Sequence, residues 1–216
     1  MKISVILPAY LGTYDGCRPD READFLKAVR SFMKQTHKDK ELIIVSDGCE
    51  RTNELFWHNS RTNYGWGEHR IALKKIDKQP LFSGAVRQAG LDVATGDIVC
   101  YLDSDDELMP HHLENIACTF QEKLVWIYFN SYWRLHELGG KLAVMDAELE
   151  KGKINTSNFA HRREGVAARW DGFVGKQENW HFISQLISQY KSVRKVAGAG
   201  YIINNNSIEK ITTQPL

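Results

Sequence analysis

Apolar positions along this chain switch repeatedly between two periods, and the order of the switches predicts an architecture. Ile3 to Leu7 is apolar at odd and even positions alike, the pattern of a strand covered on both faces. After a polar stretch from Leu11 to Asp20, Phe25, Leu26, Val29, Phe32 and Met33 recur at helical spacing, with Asp20 placed to cap the helix. Leu42 to Val45 reads as a second buried strand ending at Ser46-Asp47-Gly48, Glu50 to His58 as a helix, and Ile71 to Leu73 as a short third strand. Ser83 is expected to cap a helix through Ala94 that Gly96 ends. Asp97 to Leu102 then forms another buried strand, which runs into Asp103-Ser104-Asp105-Asp106. This alternation implies right-handed crossovers and a mostly parallel sheet.

The second half changes character. Pro110 opens a helix with Leu113, Ile116, Ala117 and Phe120 on one face, and Leu124 to Arg134 with Leu142 to Met145 predicts an antiparallel hairpin across Gly139-Gly140. From Glu148 to Gly175 the pattern weakens into polar, Arg-rich sequence, before a helix over Glu178 to Tyr190 and a strand over Val193 to Ile203. The expectation is one α/β domain: a mostly parallel sheet flanked by helices in residues 1–106, and a smaller mixed α+β portion in residues 107–216.

Composition narrows the function classes. Among 216 residues, 43% are hydrophobic and 25% charged, the balance of a folded domain and not of a disordered chain. A formal net charge of +1 gives no bulk field for nucleic acid, so any anion site must be local. The longest apolar run, Leu124 to Phe129, is far short of the roughly 20 residues that span a bilayer. The N-terminal run, broken by Pro8, is too short for a signal peptide, and Cys17, Cys49, Cys100 and Cys118 show no C-x-x-C spacing. A reducing cytoplasm is expected, with peripheral membrane attachment left open.

Ligands of open parallel sheets bind beyond the carboxyl ends of the strands, where this chain carries Tyr10, Asp47 and the acidic run at Asp103. Three carboxylates in four residues repel one another, which a divalent cation bridging to phosphate oxygens would relieve. In an extended D-x-D, Asp103 and Asp105 share a side. The competing reading is a solvated acidic turn, with Asp106 capping the next helix.

The motifs occur in a familiar order. Ile3-Ser4-Val5-Ile6-Leu7-Pro8-Ala9-Tyr10, Ala28 to Thr36, Glu41 to Gly48, Gly84 to Leu91, Ala94-Thr95-Gly96-Asp97 and Leu102 to Asp106 together resemble the opening of family 2 glycosyltransferases with a GT-A fold, over residues 1–112. The resemblance implies an inverting, metal-assisted transfer of a sugar from a nucleotide-diphosphate donor, UDP-linked by preference, to a hydroxyl of a saccharide or lipid-linked saccharide. Asp47 then accepts from N3–H of the base, and Pro8, Ala9 and Tyr10 wall the nucleoside. Arg87 lies near the diphosphate, Asp103 and Ser104 on the ribose side, and Asp105 with Asp103 at Mn²⁺ or Mg²⁺.

In the second half the family's Glu-Asp pair at the last helix matches Glu178-Asn179, and an asparagine cannot act as a base near neutral pH. Glu178, shifted slightly, or Asp171 is left to deprotonate the acceptor. His161-Arg162-Arg163-Glu164 falls where the family places an acceptor-side segment, and Trp170 and Trp180 flank the base position. Asn204-Asn205-Asn206-Ser207-Ile208 stands where the family often has a basic or histidine residue. His111-His112 points to different sides of a helix. A degenerate sugar-nucleotide-binding subunit and, more remotely, a nucleotidyltransferase remain as alternatives, the latter lacking its Gly-rich phosphate loop after Ile3 to Leu7.

Overall fold

In the computed structural model, which describes residues 1–14, 17, 19–62, 66, 69–80, 82–120, 123–172, 175 and 177–204, the buried runs become the middle of one sheet. Its strands are β1 (Ile3–Ala9), β2 (Lys40–Asp47), β3 (Ile71–Ile76), β4 (Ile98–Tyr101), β5 (Glu107–Leu108), β6 (Trp126–Leu135), β7 (Lys141–Met145), β8 (Phe159–Arg162) and β9 (Val193–Ile203). They lie in the order β3-β2-β1-β4-β8-β6-β9-β5, with β7 paired to β6. The first four are mutually parallel, β8 runs antiparallel between β4 and β6, and β6 with β9 is parallel again. The α/β class with a mixed second portion is thus the observed architecture.

Alternation along each central strand divides the core in two. Ile3, Val5, Leu7, Leu42, Ile44, Ile98 and Cys100 face one layer, where α1 (Arg21–Met33), α2 (Glu50–Arg61) and α4 (His112–Thr119) supply Phe25, Phe32, Phe56, Leu113 and Ile116. Ile6, Ile43, Val45, Val99 and Tyr101 face the other, beneath α3 (Gly84–Leu91) and α5 (Glu178–Gln189), with Val86, Phe182 and Leu186. Consecutive apolar residues were the signal for this two-sided burial.

Four local expectations are corrected. Asp20 precedes α1 but makes no side-chain cap, and Ser83 precedes α3 without capping it either. The helix α3 stops at Leu91, short of Ala94. Most consequentially, the polar Arg-rich stretch holds β8 at the heart of the sheet. Arg162 donates there to the carbonyls of Leu124 (2.7 Å) and Phe120 (3.2 Å), and Arg163 to that of Gly96 (2.9 Å) and to the Glu164 carboxylate (3.0 Å), so both arginines anchor the strand to its neighbours.

Trp170 is buried and stacked on Phe182 at 4.3 Å, so it is core and offers no face to a sugar, while Trp180 is half-buried. A buried relay joins β4 and β8: Trp170 Nε1 donates to the Tyr101 hydroxyl at 2.9 Å, and that hydroxyl lies 2.9 Å from His161 Nε2. His161 Nδ1 is 2.7 Å from the Arg162 carbonyl, which can only accept, so Nδ1 carries the proton and Nε2 accepts from Tyr101. Burial drives the His161 pKa from 6.5 down to about 4.

Because the unfolded chain takes up this proton near 6.5 and the native state only near 4, His161 stabilises the fold above that window and the contribution disappears as pH falls through it. The expected loss is on the order of 3 kcal/mol. Urea midpoints measured between pH 7 and 4 should fall more steeply for the parent than for His161→Gln; parallel curves would refute the assignment.

Candidate functional site

The parallel strands β1, β2 and β4 end at one edge of the sheet and deliver Tyr10, Asp47 and Asp103 there. Gly48 makes the turn after β2 with φ +58°, and a Cβ on it would stand 2.5 Å from the Lys78 backbone nitrogen. Only glycine lets the segment after β3 come this close. The buried Asp47 carboxylate accepts from Lys78 Nζ at 2.6 Å on one oxygen and from the Gln79 N–H at 2.6 Å on the other. Lys78 Nζ also lies 4.5 Å from the Tyr10 ring centroid. Arg21 donates to the carbonyls of Tyr10 and Gly12, and its guanidinium sits over the Tyr14 ring at 4.6 Å. Two cations thus lie near the Tyr10 ring, Lys78 at 4.5 Å and Arg21 at 5.8 Å from its centroid. Pro8 is half-buried and Ala9 lies in the core, so Ala9 can offer a ligand only its backbone. Lys78 and Arg21 escaped the reading of the sequence, where nothing marks them beyond Lys78's position just past the third strand.

The acidic run is a turn and not an extended D-x-D: the Asp106 N–H donates to the Asp103 carbonyl at 3.1 Å. Strand alternation therefore does not place Asp103 and Asp105. Asp103 accepts from Arg87 at 2.8 Å on Oδ1 and from Thr156 Oγ1 at 3.3 Å on Oδ2. Ser104 and Asp105 are half-buried at the tip, and the Asp105 carbonyl accepts from Asn204 Nδ2 at 3.0 Å. Asp106 does not cap α4. It is buried, accepting from the Tyr201 hydroxyl at 2.9 Å and the Asn204 N–H at 2.9 Å. Burial, then the charges of Asp105 and Asp103, push its carboxyl well above the ordinary range.

A divalent cation fits this turn only in part. Among the described residues no cluster of three His, Cys, Asp or Glu side chains stands ready for one. Asp106 is turned inward and Asp103 is engaged by Arg87, so the turn can offer a cation at most the carboxylates of Asp103 and Asp105. Such a set suits a cation that takes most of its ligands from substrate phosphates and water.

Arg87 reaches two carboxylates and is not disposed as a diphosphate clamp. Its terminal nitrogens donate to Asp103 Oδ1 and Glu178 Oε1, each at 2.8 Å, its Nε has no hydrogen-bond partner among the described residues, and the guanidinium lies 5.2 Å from the Trp170 ring. Burial opposes the charge, but Asp103 and Glu178 outweigh it and raise the pKa.

Glu178 likewise points into the protein. Oε1 accepts from the Ser83 N–H (3.1 Å), the Ser83 hydroxyl (3.1 Å) and Arg87, and Oε2 from the Gly84 N–H (2.8 Å). Asn179 is half-buried, with Oδ1 unpartnered among the described residues. Asp171 is exposed and held by Arg169 at 2.9 and 2.7 Å, which lowers its pKa. His111 pairs with Glu114 on the surface, and His112 packs against Phe129 and Tyr201. Phe173, Lys176 and the expected C-terminal segment Asn205 to Ile208 lie outside the described residues.

The model of one protein family, glycosyl transferase family 2, matches residues 4–142, well over half of the chain. The chain belongs to that family. An uncharacterized glycosyltransferase of Nostoc sp. is 34% identical over 124 residues, covering 56% of this chain and 33% of the relative. A GalNAc(5)-diNAcBac-PP-undecaprenol beta-1,3-glucosyltransferase of Campylobacter jejuni is 24% identical over 164 residues, covering 74% of this chain and 49% of the relative. The chain spans a third or less of the Nostoc protein and of a Rickettsia conorii glycosyltransferase, of which it covers 23%. Staphylococcus aureus TarS 1-349 in complex with UDP-GlcNAc superposes with a TM-score of 0.73, at 15% identity, over 100% of this chain and 62% of that one. The mannosyltransferase PcManGT of Pyrobaculum calidifontis, in complex with GDP-Man and Mn²⁺, gives 0.66 at 14% identity, over 94% of this chain and 56% of that one. These two share the fold with this family 2 glycosyltransferase. Among the described residues no helix is long and apolar enough to cross a membrane.

For this family member the buried acid makes a clean test. Asp106 has a raised native pKa, so the fold gains stability as pH falls from neutral toward 3.8 and loses it as pH rises. Asp106→Asn, which removes the charge and keeps the shape, should be at least as stable as the parent at pH 7 in denaturant titrations and should lose that part of the pH dependence. Marked destabilisation at pH 7 with the pH slope retained would contradict it.

Proposed function

We propose that this chain is the donor-binding and acceptor-facing domain of an inverting transferase that moves a sugar from a UDP-linked donor to a hydroxyl of a saccharide or lipid-linked saccharide. The observation that carries the proposal is the convergence of Tyr10, Asp47 with Lys78, and the Asp103–Asp105 turn at one sheet edge of a family 2 glycosyltransferase. An imide N–H flanked by carbonyls is what a carboxylate beside an ammonium reads: Asp47 accepts from the N–H, and Lys78 donates to a carbonyl once the base loosens their mutual pair. Tyr10 supplies the stacking face. The ribose hydroxyls fall to Asp103 and the backbone around Ser104, and residues 1–106 hold the donor while 107–216 face the acceptor.

Mn²⁺ or Mg²⁺, held by Asp105 with Asp103, would neutralise the leaving diphosphate. Support for a nucleotide-sugar donor comes from the UDP-GlcNAc and GDP-Man complexes of the structural neighbours, and for a lipid-linked acceptor from the Campylobacter relative's name.

A second reading has an observation of its own. Asn179 supplies an amide where an acceptor-side base is needed, and Glu178 is enclosed by donors, so Asp171 is the remaining carboxylate of the expected set and is itself bound by Arg169. This favours a sugar-nucleotide-binding subunit with weak or no turnover.

Calorimetry with UDP, GDP and ADP, with and without Mn²⁺, tests the donor site. UDP should bind best, Asp47→Asn should weaken it about tenfold or more, and Asp105→Ala should abolish only the metal-dependent part. Preference for ADP, or a metal effect unchanged in Asp105→Ala, would reject the assignment. Asn179→Asp, scored by product formation from UDP-sugars, should raise turnover by roughly 10²-fold if a missing base limits the parent.

A further inference from the structure

Glu178 and Asp103 have different addresses, one on the first turn of α5 and the other just beyond β4, yet a single guanidinium joins them. Arg87 is almost wholly enclosed, with 5% of its side chain exposed, and Glu178 nearly as much, at 8%. Asp103 is 31% exposed, so it is the end of the chain of contacts that faces solvent. On the inner side Glu178 fills the N-terminus of α3, taking the Ser83 and Gly84 N–H groups that have no partner within the helix. The fit is close: a Cβ on residue 84 would stand 3.0 Å from Glu178 Oε2 and 3.0 Å from the Trp170 carbonyl. Glycine at 84 is therefore what lets α5 and the Trp170 segment close onto α3.

These contacts fix Arg87 from behind. Its Nε makes no hydrogen bond among the described residues, and the Trp170 ring lies alongside, so the direction of its two terminal nitrogens is set by the two carboxylates alone. Removing the Glu178 charge would leave a buried cation with one charged partner, and the Arg87–Asp103 pair would lose its inner anchor.

We infer that Glu178 is a positioning residue for the donor site: it caps α3 and, through Arg87, aims the Asp103 carboxylate at the ligand, and it takes no part in deprotonating the acceptor. This rests on the reading of that site as a nucleotide-sugar site. Its signature is the reverse of a general base. A base lost by Glu178→Gln would leave nucleotide affinity alone and collapse kcat together with the acidic limb of the pH profile. A lost positioning contact would weaken the nucleotide and leave any limb in place.

The test has a ligand-free arm and a ligand-bound arm. In the protein labelled with ¹⁵N-arginine, the Arg87 Nε–H signal should shift and gain mobility in Glu178→Gln and again in Asp103→Asn, which sits at the more exposed end. In calorimetry with UDP and Mn²⁺, Glu178→Gln should raise Kd by about 10- to 100-fold, the scale on which supporting contacts of a site act. The double variant should be little worse than Asp103→Asn alone, because Glu178 reaches the ligand only through Arg87 and Asp103. Gly84→Ala, which pushes Glu178 outward, should shift the same signal and substitutes for Glu178→Gln if the latter does not fold. An unmoved Arg87 signal, additive losses in the double variant, or an unchanged Kd with a vanished pH limb would each overturn the inference. If the parent binds no UDP under any condition, the nucleotide-sugar reading falls, and the ligand-free arm alone decides whether Glu178 holds Arg87 on Asp103.

Discussion

A buried guanidinium with a carboxylate on either side, Glu178 within and Asp103 at the rim, is the constraint from which the site is built. Removing one partner of a buried ion pair typically costs about 3–5 kcal/mol, because the other is stranded away from water. That penalty makes three elements far apart in sequence, α3, the β4 end and the start of α5, settle in one arrangement. Trp170, stacked on Phe182 and lying against the guanidinium, supplies the apolar wall that keeps water from screening the pair.

The acidic run shows how one stretch of like charge can be divided. Asp103 is neutralised by Arg87 and Asp106 is withdrawn among Tyr201 and Asn204, where burial favours its uncharged form. Asp105 stays at the tip of the turn. Mutual repulsion is thus relieved largely by the protein itself, so a cation at this place would answer to the phosphates it meets more than to an unbalanced acidic cluster. Tyr201 ties the turn to β9 from both sides, its hydroxyl accepting from the Asp103 N–H and donating to Asp106.

At the other end of the edge, Asp47, Lys78 and Tyr10 form a smaller unit with the same logic of pre-satisfied charge. Both oxygens of Asp47 are already hydrogen-bonded, so a ligand there exchanges partners and does not fill empty valences. Exchange of this kind discriminates among bases, since one that lacks the matching N–H leaves Asp47 better off with Lys78. The close approach that brings Lys78 within reach exists because residue 48 has no side chain.

Much of the fold was legible in the sequence. Short β-branched runs apolar at both parities and bounded by turn residues read as strands covered on two faces, and their alternation with helical spacing indicated the parallel half; the motif order between Ile3 and Asp106 likewise pointed to the family. What the sequence by itself could not yield was partnership. β8 was invisible because its polar residues are satisfied by groups distant in sequence, Arg162 by the Leu124 carbonyl and His161 by the Tyr101 hydroxyl that Trp170 also meets. Glu178 looked available as a base because local pattern records a first-turn acid and not the four donors that close around it. Periodicity reports which face of an element meets apolar matter, a one-dimensional property; which charge meets which is decided only when the sheet brings residues 83–87, 103 and 178 to the same place.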